Sequence, residues 1–252
     1  VQKALITGAS SGIGYELAKI MASAGHDLVL AARDAKRLAE VKKELELSNK
    51  SISVRIVTAD LSKANAALKL YETLKDEKIE ILVNNAGVGL KGNFFEDELH
   101  ANQSMAYLNM NSLMDMTYYF GKDMVARKNG KILNIASIVA FFPGPKQPVY
   151  YASKAFVRSF SRALAYNLRN TNVTVTALHP GITRTNFFNA ANASGITNGA
   201  SPKSVAELGY SAMMAGKIEV THGLWNKFLT NIFVRLVPYR MQPFIVDKAS
   251  DV

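Results

Sequence analysis

The chain has 252 residues, 48% hydrophobic and 20% charged, and contains no cysteine, which excludes disulfides and thiolate catalysis. Its formal net charge is +10, yet the lysines and arginines are spread rather than clustered, so a solvated basic surface is expected and no nucleic-acid partner. The four histidines, His26, His100, His179 and His222, lack metal-ligand spacing, so no metal site is expected.

The first element sets the theme. An apolar run, Ala4-Leu5-Ile6, ends in the glycine- and serine-rich turn Thr7-Gly8-Ala9-Ser10-Ser11-Gly12-Ile13-Gly14, and a helix-like segment follows at once. Strand, glycine turn and helix in that order point backbone N–H groups and a helix N-terminus at one spot, which suits a phosphate. Gly8 permits the tight turn, Gly12 a close backbone approach, and Gly14 close packing of helix on strand. The spacing is Gly-x-x-x-Gly-x-Gly rather than Gly-x-Gly-x-x-Gly.

Residues 27–32 read as a second strand, with Arg33 just past its end and Asp34 as the N-cap of a charged helix carrying Leu38, Val41 and Leu45 on one face. A third strand is expected over 52–58, closed by Asp60-Leu61, and Ser62 as the cap of a third helix. Strand four, 79–83, ends in Asn84-Asn85-Ala86-Gly87. One long helix is expected over about 96–127. A fifth strand covers 131–136, a proline-rich loop 141–148 follows, and a long helix takes 149–169. Strand six, 173–178, stops at Pro180-Gly181; Ser201-Pro202 opens another helix, and 217–221 is a short seventh strand. Strands alternating with helices argue for an α/β fold, a doubly wound parallel seven-stranded sheet flanked by helices on both faces, within one domain over 1–252. Its ligand belongs at the carboxyl ends of the strands.

Thr7-Gly8-x-x-x-Gly12-x-Gly14, Asn84-Asn85-Ala86-Gly87, Asn111, Ser137, Tyr150-x-x-x-Lys154 and Pro180-Gly181 occur in that order. Together they resemble the classical short-chain dehydrogenase/reductase family, over about residues 3–221. The residues make chemical sense without the name. Tyr150 and Lys154 stand at i, i+4 on a helix and share a face. A phenol is a poor acid–base group at neutral pH, and a nearby ammonium favours the phenolate. Tyr150 then reads as proton donor to a carbonyl oxygen or base for an alcohol, and Ser137 as a hydrogen-bond donor to the same oxygen. The resemblance implies a Rossmann-like fold and two further roles: the residue matching Lys154 binds the nicotinamide ribose, and the one matching Asn111 holds a helix bend and a water in a proton relay. Asn109 lies close enough to be confused with it.

The resemblance also implies the cofactor-binding set. It comprises Gly8, Ser10, Ser11, Gly12, Ile13 and Gly14 in the turn and Asp60 and Leu61 at the adenine. Asn85, Ala86 and Gly87 form the strand-four wall, beside Tyr150 and Lys154, and Pro180, Gly181, Thr183 and Thr185 follow strand six. Where the family places an acid that selects NAD, this chain has Ala32, followed by Arg33. A guanidinium there pairs with a 2′-phosphate, so NADP(H) is expected; Asp34 reaching the ribose would instead favour NAD. The substrate is a small carbonyl or alcohol. Ser137, Val139, Phe142, Tyr150 and Phe187, with Phe141 and Phe188, suggest an apolar pocket for a ketoacyl, steroid-like or small carbonyl compound, with 182–200 as a lid.

The tail, 222–252, is amphipathic: Trp225, Phe228, Leu229, Ile232, Phe233 and Leu236 fall at helical spacing among Lys227, Arg235 and Arg240. Packing on the lid or in a dimer contact is the favoured reading, and contact with an anionic membrane surface the alternative. The family usually assembles as a homodimer or homotetramer. With no apolar run long enough to span a bilayer, no signal peptide and no cysteine, a cytoplasmic protein is expected. Overall the residues read as an NADP(H)-dependent oxidoreductase; the alternative is a non-catalytic NADP(H)-binding sensor or regulatory protein on the same fold.

Overall fold

A computed structural model describes residues 2–90, 92, 94–185, 187 and 199–249. Strand β1 (Lys3–Thr7), helix α1 (Gly12–Ser23), β2 (Asp27–Ala32), α2 (Ala35–Ser48), β3 (Val54–Thr58), α3 (Ala66–Leu74) and β4 (Ile79–Asn84) form the first half. The second half holds α4 (Leu99–Ala106), α5 (Leu113–Ala126), β5 (Gly130–Ile135), α6 (Pro148–Asn167), β6 (Val173–His179), α7 (Pro202–Met214) and β7 (Glu219–Thr221). The tail continues as α8 (Leu224–Phe228), α9 (Val234–Leu236) and α10 (Gln242–Ala249).

The strands form one seven-stranded sheet in the order β3-β2-β1-β4-β5-β6-β7, parallel throughout. After β3 the chain crosses the sheet to pair β4 with β1, in register Leu5↔Leu82 and Ile6↔Val83. That reversal opens a crevice beyond the carboxyl ends of β1 and β4, where such sheets bind ligands.

Period-two alternation divides the core. Ala4 and Ile6 meet α1, α2 and α7 through Leu17, Met21, Leu38, Val41, Val205 and Met213. Leu5 faces the other way, with Leu70, Leu74, Met116, Phe120 and Met124 of α3 and α5. Burial on both faces explains why β1, β2 and β4 read as continuous apolar runs. Removing one such side chain, as in Leu17→Ala, costs about 2–5 kcal/mol.

Several boundaries differ from the sequence expectation. Ser62 does not cap α3: its N–H and hydroxyl both donate to Asp60 Oδ1 (3.1 and 2.7 Å) in a tight turn, and the helix starts four residues later. Strand β3 starts at Val54 and β7 at Glu219. The long helix expected over 96–127 is interrupted by a π-helical turn, Tyr107–Ser112, between α4 and α5. Asp34 caps α2, accepting from Arg37 N at 2.9 Å. Ser201 stands at the N-cap of α7 with Pro202 at N1, but its side chain makes no cap bond.

Most of the expected lid, 182–200, lies outside the described residues, as does Phe188. The tail is a chain of short pieces: α8, a π-helical turn Leu229–Phe233, α9, a 3₁₀ turn Tyr239–Met241 and α10. Among the described residues no helix is long and apolar enough to cross a membrane.

Candidate active site

The glycine turn is held by the end of β4. Gly8 and Gly12 have φ of 66° and 58°, where a β-carbon is strained. Gly8 N–H donates to Ala31 O at 2.8 Å. Asn85 Nδ2 donates to Thr7 O (2.9 Å) and Gly8 O (3.1 Å). Thr7 Oγ1 accepts from both Asn85 N and Ala86 N at 3.0 Å and donates to Val83 O. A β-carbon on Gly14 would stand 2.4 Å from Asn85 Nδ2 and 2.5 Å from Gly8 O, so only glycine lets α1 approach this closely. The first turn of α1 has no acidic residue and Ser11 makes no cap bond, so its N–H groups are aimed outward with the positive end of the helix dipole.

Around the turn stand the groups past β2 and β3. Arg33 is exposed. Arg37 Nε donates to Ser10 O at 3.3 Å, and its guanidinium lies 5.5 Å from the Tyr15 ring centre. The Asp34 oxygen that caps α2 is thereby committed. Burial pushes the Asp60 carboxyl up, but hydrogen bonds from Ser62 and the charges of Arg33 and Lys63 outweigh it and leave it below the usual range. Leu61 points into the core.

At the other end of the crevice, β5 delivers Ser137 and α6 delivers Tyr150 and Lys154 one helical turn apart. Pro148 occupies the first turn of α6, where its missing N–H costs nothing. Ser137 Oγ accepts from Val139 N at 3.3 Å. Burial raises the Tyr150 phenol well above its ordinary value, and the hydrogen bond with Ser137 opposes this. Lys154 Nζ donates to Ile135 O at 3.0 Å and lies 5.9 Å from the Tyr150 ring centre. Burial pushes its ammonium down to about 8. The expectation that Lys154 depresses the phenol is therefore not met by the protein's own groups: desolvation dominates, and Tyr150 stays a neutral donor.

The asparagine facing this site is Asn109, not Asn111. Asn109 is 2% exposed. Its Oδ1 accepts from Val88 N (3.1 Å), and its Nδ2 donates to Val88 O (2.9 Å) and Ser153 Oγ (3.1 Å). A β-carbon on Gly87 would touch both Asn109 Oδ1 (3.1 Å) and Lys154 Nζ (3.6 Å). Asn111 is exposed, because two residues of helix turn it to the opposite side. The sequence carried one usable signal, an Asn-x-Asn in a helix, without the phase to choose between them.

The segment after β6 folds back over the glycine turn. Thr183 Oγ1 donates to Gly181 O at 2.9 Å, and Arg184 N to Ala200 O at 3.0 Å. A β-carbon on Gly12 would lie 3.1 Å from the Thr185 methyl. Phe187 lies 5.8 Å from Tyr150 between ring centres, across Gly89. Val139 sits in the short turn Ile138–Phe141 beside Ser137. Phe142 instead lines an apolar cavity of about 470 Å³ with Tyr151, Tyr239 and Gln242. Ser10, Ser11, Gly12 and Ile13 ring the turn, and Ala86, Gly87 and Pro180-Gly181 line the strand ends. The crevice thus joins an anion-binding turn to a buried Ser–Tyr–Lys group.

Sequence reasoning missed a polar ladder beneath the site: Asn84 donates to Thr117 Oγ1 (3.0 Å) and Asn134 Oδ1 (2.9 Å), and Asn134 donates to Ser161 Oγ (2.9 Å). It also missed His179, fully buried, whose Nδ1 is 3.2 Å from Ser137 O and whose Nε2 is 3.5 Å from Glu219. Polar residues inside apolar strands are legible, but their partners are not.

The family model for short chain dehydrogenase matches residues 2–195. A rat protein, 17-beta-hydroxysteroid dehydrogenase type 3, is 32% identical over 99% of this chain and 83% of its own length. A short-chain dehydrogenase from Sphingobium yanoikuyae, solved with NADPH, superposes with a TM-score of 0.85 at 30% identity over 89% of each chain. A short chain dehydrogenase/reductase from Burkholderia phymatum, solved with NAD, has a TM-score of 0.82 at 25% identity over 93% of this chain and 92% of its own.

Proposed function

The chain belongs to the short-chain dehydrogenase family and is an oxidoreductase acting between carbonyl and alcohol groups, and we propose that it is an NADPH-dependent reductase of apolar ketones or aldehydes. The observation that carries this reading is the buried group Ser137–Tyr150–Lys154 at the same crevice as the glycine turn. When bound, the nicotinamide supplies the hydride to the carbonyl carbon. The chain's own residues do the rest. Ser137 and Tyr150 bind the carbonyl oxygen, and the phenol gives it a proton as negative charge develops. A phenol kept neutral by burial favours that direction. Lys154 holds the ribose hydroxyls, and Asn109 fixes the π-helical turn and the Val88 backbone at the nicotinamide side. The turn from Gly8 to Gly14 receives the pyrophosphate.

For NADP(H) over NAD(H), the support is Arg33 past β2, with Ala32 where an acid would stand and Asp34 committed to its helix cap. Arg37, held at Ser10 O, stands beside it. Phe187 against Tyr150 supports a bulky apolar substrate, as does the rat relative's name, and 182–200 would close over it. The test is NADPH oxidation across a panel of steroidal, acyl and aromatic carbonyls. Turnover is expected with at least one, and Tyr150→Phe should lower kcat by about 10²–10⁴ with NADPH affinity little changed. Unchanged turnover in that variant would remove Tyr150 from the mechanism.

A further inference from the structure

The tail is amphipathic in the inverted sense. On the run from α8 to α9, Leu224, Phe228, Ile232 and Leu236 recur every fourth residue, and all four are exposed, Leu224 at 85% and Leu236 at 75%. The opposite stripe is polar and faces the protein. Asn226 sits against Gly181, where a β-carbon would stand 2.3 Å from its Nδ2, and donates to His222 O at 2.8 Å. Thr230 is 3% exposed and donates to Asn226 O at 2.9 Å. Gln242 is likewise buried, bonded to Val234 O and Val237 O. Helices on a water-facing surface put polar residues outward; here the polar residues satisfy themselves inside, and Trp225 and Phe244 join the apolar stripe outside.

Charge selects the occupant. Residues 222–248 contain four cations, Lys227, Arg235, Arg240 and Lys248, all exposed, and one acid, Asp247. Asp247 pairs with Lys146 at 3.6 Å. Two copies of this face would bring cations against cations, whereas an anionic bilayer meets apolar side chains and cations at once. Exposed apolar side chains ringed by basic ones, with a tryptophan among them, match the headgroup boundary of a membrane. We propose that the face formed by α8, α9 and α10 docks on the surface of an anionic phospholipid bilayer without crossing it.

Trp225 is the one tryptophan in the chain and reports directly. The full-length protein is mixed with vesicles of phosphatidylcholine alone or with phosphatidylserine. Flotation and a blue shift of Trp225 emission are expected with the anionic vesicles, and binding at least 10-fold weaker with the neutral ones. Each cation near the surface is worth about five-fold in partitioning, so Lys227→Gln/Arg235→Gln/Arg240→Gln should weaken binding by about 100-fold. Leu236→Glu should abolish it while the melting temperature stays within a few degrees. Absence of flotation with anionic vesicles overturns the proposal, and so does equal binding to neutral ones. A blue shift that grows with protein concentration without lipid, with a dimer lost in Leu236→Glu, overturns it in favour of a second copy.

Discussion

Tyr150 and Lys154 are both withdrawn from water, and burial moves their protons in opposite directions. The lysine carries the clearer consequence. Its pKa falls from 10.5 in the unfolded chain to about 8 in the fold. The unfolded state therefore binds more protons between those values, and stability rises with pH across that window. Below pH 8 the whole penalty is present, about 3 kcal/mol at 1.36 per unit. Lys154→Met removes it but strands Ile135 O, at about 1 kcal/mol. The variant should be inactive yet more stable by about 2 kcal/mol at pH 7, with the advantage shrinking by pH 10. Denaturant unfolding at both pH values checks this, and an equal difference at both would contradict it. The same titration should make the reductive kcat fall above pH 8 in the parent. At Arg33 the expectation is selectivity: Arg33→Ala should weaken NADPH by about 10–100-fold, the worth of one charged hydrogen-bond pair, and NADH by less than about 3-fold. Equal weakening would remove the 2′-phosphate contact.

Among the elements, those that were legible are those whose burial leaves one reading. Strand β2 runs over 27–32 as its apolar run indicates, because both faces are covered and nothing competes. The glycine turn was legible for a different reason: three glycines at fixed spacing have few uses together. What was not legible is phase within a helix. A π-helical turn adds one residue to a helical turn without breaking the apolar periodicity, so 96–127 reads as a single helix. The same lost phase misassigned Asn111 in place of Asn109. Exchanging the pair tests the structural choice. Asn109→Ala leaves Val88 N and O without their partner and should cost about 1–3 kcal/mol and lower kcat by 10-fold or more. Asn111→Ala should stay within about 0.5 kcal/mol. Melting curves and kcat for both decide it, and the reverse order would restore Asn111. Ser62 failed for a related reason: serine before a helix reads as a cap, but Asp60 had already engaged its hydroxyl.

At the scale of the whole molecule, net charge and hydropathy were legible as totals but not as directions. The tail's four-residue period is the same whether its apolar stripe faces in or out. Only the burial of Asn226, Thr230 and Gln242 decides that it faces out. The +10 charge has a kinetic consequence. A basic protein draws an anionic cofactor toward itself, so the association rate for NADPH should fall several-fold between about 20 and 300 mM salt. Stopped-flow fluorescence measures it, and a rate indifferent to salt would show the charge to lie away from the crevice.

The clasp that Asn85 forms with Thr7 and Gly8 has one more consequence. Two strands far apart in sequence meet at the crevice and are latched there by side-chain and backbone hydrogen bonds. The anion cradle is finished when the sheet is finished. A dinucleotide arriving there spends little of its interaction energy on ordering the chain, and its capture resembles a key entering a cut lock. Breaking the latch with Asn85→Ala frees the turn to sample open shapes, which would convert fast capture into a two-step process with a slow, saturable phase.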